Sequence, residues 1–143
     1  MKRILFICKH NIFRSRIAEM LFNNFNKNKN YKASSAGLIR WKKRDLKGVK
    51  GFLAEKTVAK KYGLNLKVKS KSINSSILNK TDLLVIVAND VPPSIFKKER
   101  SFNGKLIVWK ITDVKPKDKD KELVAEKAIK FIENKVKNLV DNL

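Results

Sequence analysis

The chain has 143 residues and a mass of 16.5 kDa, which is the size of one ordinary domain. Hydrophobic residues make up 43% and charged residues 33%, a composition typical of a globular chain rather than a disordered one. The single Cys rules out an internal disulfide, and one Cys with one His argues against a structural zinc site. No apolar run approaches the roughly 20 residues of a membrane span. The apolar run before Lys9, residues 4–8, is too short for a signal peptide, so we predict one cytoplasmic domain over residues 1–143.

The charge of the chain is strongly unbalanced. Its 34 Lys and Arg residues against 13 Asp and Glu residues leave a formal net charge of +21. Such a surface favours an acidic partner, which could be nucleic acid, an anionic membrane surface or an anionic substrate. The basic residues are spread along the whole chain and most are Lys, whereas base readout and bidentate phosphate contacts favour Arg. We therefore treat nucleic acid as a possible partner that is not favoured, and a Lys-rich composition as the simpler interpretation.

Four segments have the pattern of β-strands. The first and third are continuous apolar runs, typical of strands that are buried on both faces of a parallel sheet. The second is short and is closed by Gly37. In chain order, the predicted strands are Arg3–Cys8, Tyr31–Ala36, Asp82–Ala88 and Lys105–Ile111.

Helical spacing of apolar residues predicts three helices between and after these strands. The first begins at Ser15 and ends in the Asn- and Lys-rich stretch after Asn23. The second spans Phe52–Tyr62 and has Gly63 in the position of a C-cap. The third is the long amphipathic segment Leu123–Leu143, and a short helix is expected after the Pro pair at 92–93. The alternation of strands and helices predicts an α/β fold, a parallel sheet with helices on both faces.

The turn from Cys8 to Ser15 is the first place to look for chemistry, because ligands bind beyond the carboxyl ends of parallel strands. A loop that enters a helix presents unpaired backbone N–H groups and the positive end of the helix dipole to an anion. A Cys there is a candidate nucleophile, and Arg14 offers a planar fork to two oxygens of a phosphate or arsenate. Ser15 can donate to the sulfur, and Asn11 tolerates left-handed backbone angles. The alternative is a buried structural Cys with Arg14 on a solvated helix face.

The same loop resembles that of the low-molecular-weight protein tyrosine phosphatases. Their signature runs Cys, two residues, Asn, two residues, Arg and Ser, followed by a helix that often begins Ile-Ala-Glu. This chain has these residues in register, and the resemblance covers nearly its whole length: Cys8, Asn11, Arg14, Ser15 and Ile17-Ala18-Glu19, then Ser35-Ala36-Gly37, Trp41, and Trp109-Lys110-Ile111-Thr112-Asp113. The resemblance implies a single-domain three-layer sandwich with a four-stranded parallel sheet in the order 2-1-3-4.

The resemblance also implies a mechanism that needs no metal and no cofactor. Cys8 would attack phosphorus and Asp113 would protonate the leaving group, with Asp118 and Asp120 as alternatives that more plausibly belong to the start of the last helix. The substrate would be a phosphotyrosine-bearing protein or a small aryl phosphate, and Trp41 would wall the cleft. We expect a monomer or a weak dimer. The residues expected to bind phosphate or support the loop are Lys9, His10, Asn11, Ile12, Phe13, Arg14 and Ser15.

Several positions depart from the family pattern. Val114 stands where a Pro usually follows the catalytic Asp, and no Tyr follows Asp113. Lys9-His10 replaces a pair whose second residue is usually Gly, and Phe13 replaces a second Cys. With one Cys, the chain also lacks the further cysteines of the thioredoxin-coupled arsenate reductases. The departures leave open a catalytically weak anion-binding or regulatory module that docks on acidic partners or nucleic acid. Phosphotyrosine, a small-molecule phosphate and phosphoarginine are likewise not separated by the sequence.

Overall fold

The computed structural model describes residues 1–39, 50–67 and 69–143. The predicted strands and long helices are all present, with ends that shift by no more than two residues. No described helix is both long and apolar enough to cross a membrane. In chain order the elements are β1 (Lys2–Cys8), α1 (Arg14–Phe25), β2 (Tyr31–Gly37), α2 (Lys50–Lys61), α3 (Ser75–Asn79), β3 (Leu83–Val87), a π-helical turn (Ile95–Glu99), β4 (Lys105–Trp109) and α4 (Lys121–Asp141).

The four strands form one parallel sheet in the order β2-β1-β3-β4, which confirms the predicted order. β1 and β3 are the two inner strands, and their continuous apolar runs are buried as expected. Because all strands run the same way, their carboxyl ends share one edge of the sheet. Cys8 of β1 pairs there with Gly37 of β2, so the loop after β1 begins at the centre of that edge.

A layer of apolar side chains lies on each face of the sheet. On one face, Ile4 and Phe6 pack with buried residues of α1, α2 and α4. On the other face, Leu5 and Ile7 pack with Leu78 of α3 and with Phe96 of the π-helical turn. The chain therefore forms the predicted three layers, with the three longer helices on one side and shorter segments on the other.

α2 ends where the sequence indicates. Gly63 has a φ of 73°, the left-handed conformation that favours glycine after a helix. The amide of Gly63 donates to the carbonyl of Lys60, and the amide of Leu64 donates to that of Ala59, both at 3.0 Å. These two hydrogen bonds are the Schellman pattern, which turns the chain so that Leu64 is buried in the core.

β2 passes very close to the loop that follows β1, and Gly37 makes this approach possible. A Cβ atom at position 37 would lie 2.8 Å from the backbone nitrogen of Asn11 and 2.8 Å from the carbonyl carbon of His10. The same residue joins β2 to a later segment, because its amide donates to the Lys71 carbonyl and its carbonyl accepts from Ile73. Gly37 thus positions the loop against both β2 and residues 71–73.

We predict that Gly37→Ala lowers the free energy of unfolding by about 2 kcal/mol, because the new methyl group meets backbone atoms that cannot rotate away. Urea unfolding checks this. Gly51→Ala in α2 is the control. Among the described residues, the nearest atom to its Cβ would be Val114 Cγ1 at 3.7 Å, so the higher helix propensity of Ala should leave stability unchanged or raise it by about 0.5 kcal/mol. Equal free energies of unfolding for Gly37→Ala and Gly51→Ala would contradict the close approach of β2 to the loop at Gly37.

Candidate active site

The sulfur of Cys8 lies at the floor of the loop that joins β1 to α1. Its Sγ atom is 3.0 Å from the hydroxyl oxygen of Ser15 and accepts a hydrogen bond of 3.3 Å from the backbone amide of Asn11. An amide and a hydroxyl aimed at sulfur are the donors that stabilise a thiolate. Phe13, the N-cap residue of α1, makes no capping hydrogen bond through its side chain, which leaves the first amides of the helix available to an anion. The loop therefore holds a buried sulfur with two polar groups at hydrogen-bonding distance.

Asn11 holds the loop in place. Its φ of 57° is the left-handed conformation that the sequence predicts for this residue. Its buried side-chain amide donates to the hydroxyls of Ser15, at 2.8 Å, and Ser35, at 3.0 Å. Its side-chain oxygen accepts from the amide of Lys71 at 3.0 Å. One side chain thus ties the loop to α1, to β2 and to the segment after α2.

A second layer of hydrogen bonds supports these contacts. The Ser35 hydroxyl, which accepts from Asn11, donates to the carboxylate of Glu19 on α1. The Ser70 hydroxyl donates to the backbone carbonyl of His10 at 2.7 Å. Sequence analysis placed Glu19 and Ser35 in motifs without a role in the site. Glu19 follows the apolar residues of a predicted helix, and Ser35 stands near the end of a predicted strand. These positions could have suggested a role in the site, but the hydrogen bond between Ser35 and Glu19 depends on the fold.

Arg14 is the buried cation of the site, with 2% of its side chain exposed. Its Nη1 atom is 3.1 Å from Asp90 Oδ1 and donates to the carbonyl of Ile111 at 2.9 Å. Its Nη2 atom is 3.4 Å from Asp90 Oδ2 and 3.7 Å from Asp113 Oδ2. Burial opposes the charge, but the nearby Asp113, Cys8 and Asp90 outweigh it and raise the pKa of Arg14. The Arg14 guanidinium therefore keeps its positive charge, and it faces the loops that follow the carboxyl ends of β3 and β4.

Two aspartates frame Arg14 from the loops that follow β3 and β4. Asp113, the residue that the sequence indicates, is 32% exposed, and its Oδ1 atom accepts from the amide of Val114 at 2.9 Å. Asp90 is 37% exposed and was missed by the sequence analysis. The signal for it was its place three residues after the end of β3, on the edge of the sheet where ligands bind.

The remaining loop residues contribute mainly through their backbone. Lys9 and His10 are half-buried, and the Lys9 carbonyl accepts from Ile39 at 2.9 Å. Burial, followed by the positive charge of Lys9, lowers the pKa of His10. Ile12 is half-buried, whereas the side chain of Phe13 points into the core. Phe13 thus fills core volume at the position where the family resemblance implies a second Cys in many members.

Three other predicted residues have different outcomes. Trp41 lies outside the described residues. Asp120 is the N-cap of α4, since its carboxylate accepts from the amide of Leu123 at 3.0 Å. Asp118 accepts from the amide of Lys115 at 2.7 Å in the turn before that helix. Both therefore belong to the start of the last helix, as expected, and Asp113 is the acidic residue of this segment that approaches Arg14.

A further carboxyl group, which the sequence analysis missed, belongs to Glu55 of α2. This side chain is only 3% exposed. Burial raises its pKa well above the ordinary range and the charge of Asp113 adds to the rise, while Arg14 opposes it. The signal in the sequence was an acidic residue within the apolar stripe of a predicted helix, between Phe52 and Ala59.

We predict that Asn11→Gly costs about 2–3 kcal/mol in unfolding free energy, because two buried hydrogen bonds and one partly buried hydrogen bond are lost while the left-handed backbone stays accessible. Asn11→Ala should cost about 1 kcal/mol more, since Ala resists that conformation. Asn89→Ala, which removes one exposed hydrogen bond, is the control and should cost less than about 0.5 kcal/mol. Chemical denaturation measures all three. Equal stability of the Gly and Ala variants would refute the role of the backbone conformation.

Known structures share this architecture. The YwlE arginine phosphatase from Geobacillus stearothermophilus superposes with a TM-score of 0.79 at 18% identity, covering 99% of this chain and 92% of that one. An arsenate reductase from Archaeoglobus fulgidus gives a TM-score of 0.68 at 29% identity, covering 96% and 98%. A low molecular weight protein tyrosine phosphatase from T. tengcongensis gives 0.69 at 21% identity and covers both chains fully, 100% and 100%. At 18% and 21% identity, the two phosphatase structures support the fold alone.

No curated protein matches the chain. The family described as low molecular weight phosphotyrosine protein phosphatase, however, matches residues 3–143, which is almost the whole sequence. The match includes both the loop from Cys8 to Ser15 and the segment that carries Asp113. With the predicted sheet order observed in the fold, the chain therefore belongs to the low molecular weight phosphotyrosine protein phosphatase family.

Proposed function

We propose that this family member is a phosphomonoesterase that hydrolyses phosphotyrosine or a similar aryl phosphate through a cysteinyl-phosphate intermediate. The observation that carries the proposal is the position of the Cys8 sulfur, which has an amide and a hydroxyl at hydrogen-bonding distance in a loop that opens onto Arg14. This arrangement provides a nucleophile and a phosphate-binding cation at the N-terminus of α1.

In the first step, the Cys8 thiolate attacks phosphorus, forming the S–P bond as the P–O bond to the leaving group breaks. The loop amides and Arg14 stabilise the charge on the phosphoryl oxygens in the transition state. Asp113 gives its proton to the departing oxygen, so the leaving group departs as a neutral alcohol or phenol.

In the second step, water attacks phosphorus and breaks the S–P bond. Asp113, now a carboxylate, takes the proton from this water, and the thiolate is the leaving group. Ser15, 3.0 Å from the sulfur, donates to the thiolate as it leaves. Asn11 holds Ser15 through its side-chain amide and so keeps this hydroxyl pointed at the sulfur.

The hydrogen bonds suggest different roles for Asp90 and Asp113. Asp90 is close to both terminal nitrogens of Arg14, at 3.1 and 3.4 Å, which is the bidentate arrangement that orients a guanidinium. Asp113 approaches Arg14 at 3.7 Å through one oxygen only, and its other oxygen accepts from the Val114 amide. We therefore assign proton transfer to Asp113 and the positioning of Arg14 to Asp90.

The choice of an aryl phosphate rests on the family to which the chain belongs. The fold is shared with proteins named as an arginine phosphatase and as an arsenate reductase, so other oxyanion substrates enter as outcomes of the test. A reductase that passes a disulfide between its own cysteines is not favoured, because this sequence contains one Cys. The net charge of +21 favours an acidic phosphoprotein over a basic one.

We expect the chain to hydrolyse p-nitrophenyl phosphate in the presence of a chelator. Cys8→Ser should abolish turnover, because the nucleophile is lost. Asp113→Ala should lower kcat by about 10²–10³-fold, because no group protonates the leaving oxygen. Steady-state release of nitrophenolate measures all three proteins. Activity that survives Cys8→Ser would contradict the mechanism.

Peptides of one sequence that carry phosphotyrosine or phosphoarginine then separate the substrate classes by kcat/KM. A higher kcat/KM for the phosphoarginine peptide would contradict the assignment of an aryl phosphate as substrate. The absence of all hydrolysis, together with salt-sensitive binding of nucleic acid, would favour an anion-binding module instead.

Leaving groups of different acidity distinguish Asp113 from Asp90. Asp113→Asn should lower kcat for phenyl phosphate by a factor about 10² times larger than the factor for dinitrophenyl phosphate, because a good leaving group needs no proton. Asp90→Asn should slow both substrates by the same factor, since it loosens Arg14 and not the proton transfer. The ratio of kcat values for the two substrates is the measurement. The reverse pattern would make Asp90 the proton donor.

A further inference from the structure

A cavity of about 310 Å³ lies between α3 and the amino-terminal halves of β1 and β2. Its volume is at the lower end of the range of about 300–1,000 Å³ for sites that bind small molecules. Of the nine described residues that line it, none is acidic and none belongs to the loop from Cys8 to Ser15. Four of them are basic: Arg3, Lys32, Lys71 and Lys80.

The strand register brings two of these cations together. Arg3 of β1 and Lys32 of β2 are partners on neighbouring parallel strands, which lie about 4.8 Å apart. Arg3 alternates with Leu5 along β1, and Leu5 packs on the face of the sheet that carries α3. Both basic side chains therefore project from that face. Like charges side by side on one face of a sheet repel each other, and an anion bound beside them removes this cost.

The opposite wall of the cavity adds two more cations. Lys71 precedes α3, and Lys80 follows it as the C-cap residue. All four basic side chains are exposed, and within the part of the chain that the structure describes none of them forms an ion pair. The hydroxyls of Ser34 and Ser76 line the same cavity and have no hydrogen bond to a described residue. The cavity thus offers charge and hydrogen-bond donors to an anion from both walls.

Two neighbouring polar groups are already engaged elsewhere. The Thr81 hydroxyl donates to the carbonyl of Ile77 at 2.8 Å. The carboxylate of Asp82 accepts from the backbone amide of Arg3 at 2.7 Å and does not line the cavity. Asp82 therefore holds the backbone of β1 and leaves the Arg3 guanidinium without an ion pair.

We propose that this cavity is a second anion-binding site, which takes a small oligophosphate, either free or carried by a nucleoside. A phosphate monoester carries at most about two negative charges, so four cations around one cavity match an oligophosphate better than a single phosphate. None of the described lining residues is aromatic, so the cavity lacks the stacking surface that holds single-stranded nucleic acid. The site uses neither Cys8 nor Arg14, and the proposal does not depend on the proposed function.

Lys71 links the cavity to the catalytic loop through its backbone. Its amide donates to the side-chain oxygen of Asn11 at 3.0 Å, and its carbonyl accepts from the amide of Gly37 at 2.7 Å. A substitution at Lys71 would therefore disturb the loop as well as the cavity. Arg3 and Lys80 make no such contact with the loop, which makes them the residues to change.

Calorimetric titration with tripolyphosphate measures the site, in proteins that all carry Cys8→Ser so that no ligand is hydrolysed. Arg3→Gln combined with Lys80→Gln should raise the dissociation constant at least about tenfold, because two of the four cations are lost. An unchanged dissociation constant would place the oligophosphate elsewhere, for example at the loop of Cys8, and would overturn the proposal.

Lys56→Gln combined with Lys60→Gln is the matched control. It removes the same charge from two residues of α2 that line a different cavity. At physiological salt, where distant charges are screened, this control should raise the dissociation constant by less than about twofold. Equal losses of affinity in the two double variants would show general attraction to a basic surface, and the cavity would then have no special role.

Other ligands identify the source of the oligophosphate. Tighter binding of adenosine triphosphate than of tripolyphosphate, lost with Arg3 and Lys80, would assign the site to a nucleoside-bound chain, and the reverse order to a free chain. Both outcomes support the proposal. A poly-thymidine oligonucleotide should lose little affinity in the same double variant. A loss as large as that for tripolyphosphate would make the cavity part of a nucleic acid interface and overturn the assignment.

Thermal unfolding gives a second readout. A ligand that binds only the folded chain raises its Tm, so tripolyphosphate should raise the Tm of the parent and of the Lys56 and Lys60 control. The rise should be less than half as large when Arg3 and Lys80 are changed, and an equal rise in all three proteins would contradict the site. Failure of the proposed function is a separate result, because it appears as the absence of p-nitrophenyl phosphate hydrolysis by the chain with Cys8 intact.

Discussion

The side chain of Asn11 joins the parts of the chain that meet at Cys8. Its three hydrogen bonds reach Ser15 on α1, Ser35 on β2 and the amide of Lys71, and its left-handed backbone aims its own amide at the sulfur. The loop can take this form only because β2 approaches it without a side chain at Gly37. The shape of the loop from Cys8 to Ser15 thus depends on contacts with β2 and with the segment at Lys71 as much as on its own sequence.

The charge of the site is organised around one buried guanidinium. Arg14 is fixed by Asp90 and by the Ile111 carbonyl, which follow β3 and β4, so the loops after these two strands both determine its direction. Asp113 extends from the same segment as Ile111. The order of the strands therefore brings the Cys8 sulfur, the Arg14 guanidinium and the two carboxylates to one edge, although Cys8 and Asp113 are far apart in the sequence. The parallel sheet supplies this convergence, and the loops supply the functional groups.

The sequence was sufficient for the parts of this arrangement that are local. The apolar runs and helical stripes predicted the strands and long helices, and Cys8, Asn11, Arg14 and Ser15 lie within eight residues of one another. α3 was missed because its five residues are too short to show a helical period. Asp90 and Ser35 were missed as site residues because their partners lie 76 and 24 positions away in the chain. Their roles depend on strand pairing, which no local pattern encodes.

Val114 shows how packing can replace a local constraint. A proline after Asp113 would fix the backbone of that loop by itself. In this chain, the amide that a proline would lack is present and donates to the Asp113 carboxylate, so the residue restrains the acid directly. The side chain of Val114 in turn lies against α2 at Gly51, one turn from Glu55. The loop is therefore held by a hydrogen bond and by a contact with a helix. The position of Asp113 consequently depends on the packing of α2 against the loop as well as on the backbone next to it.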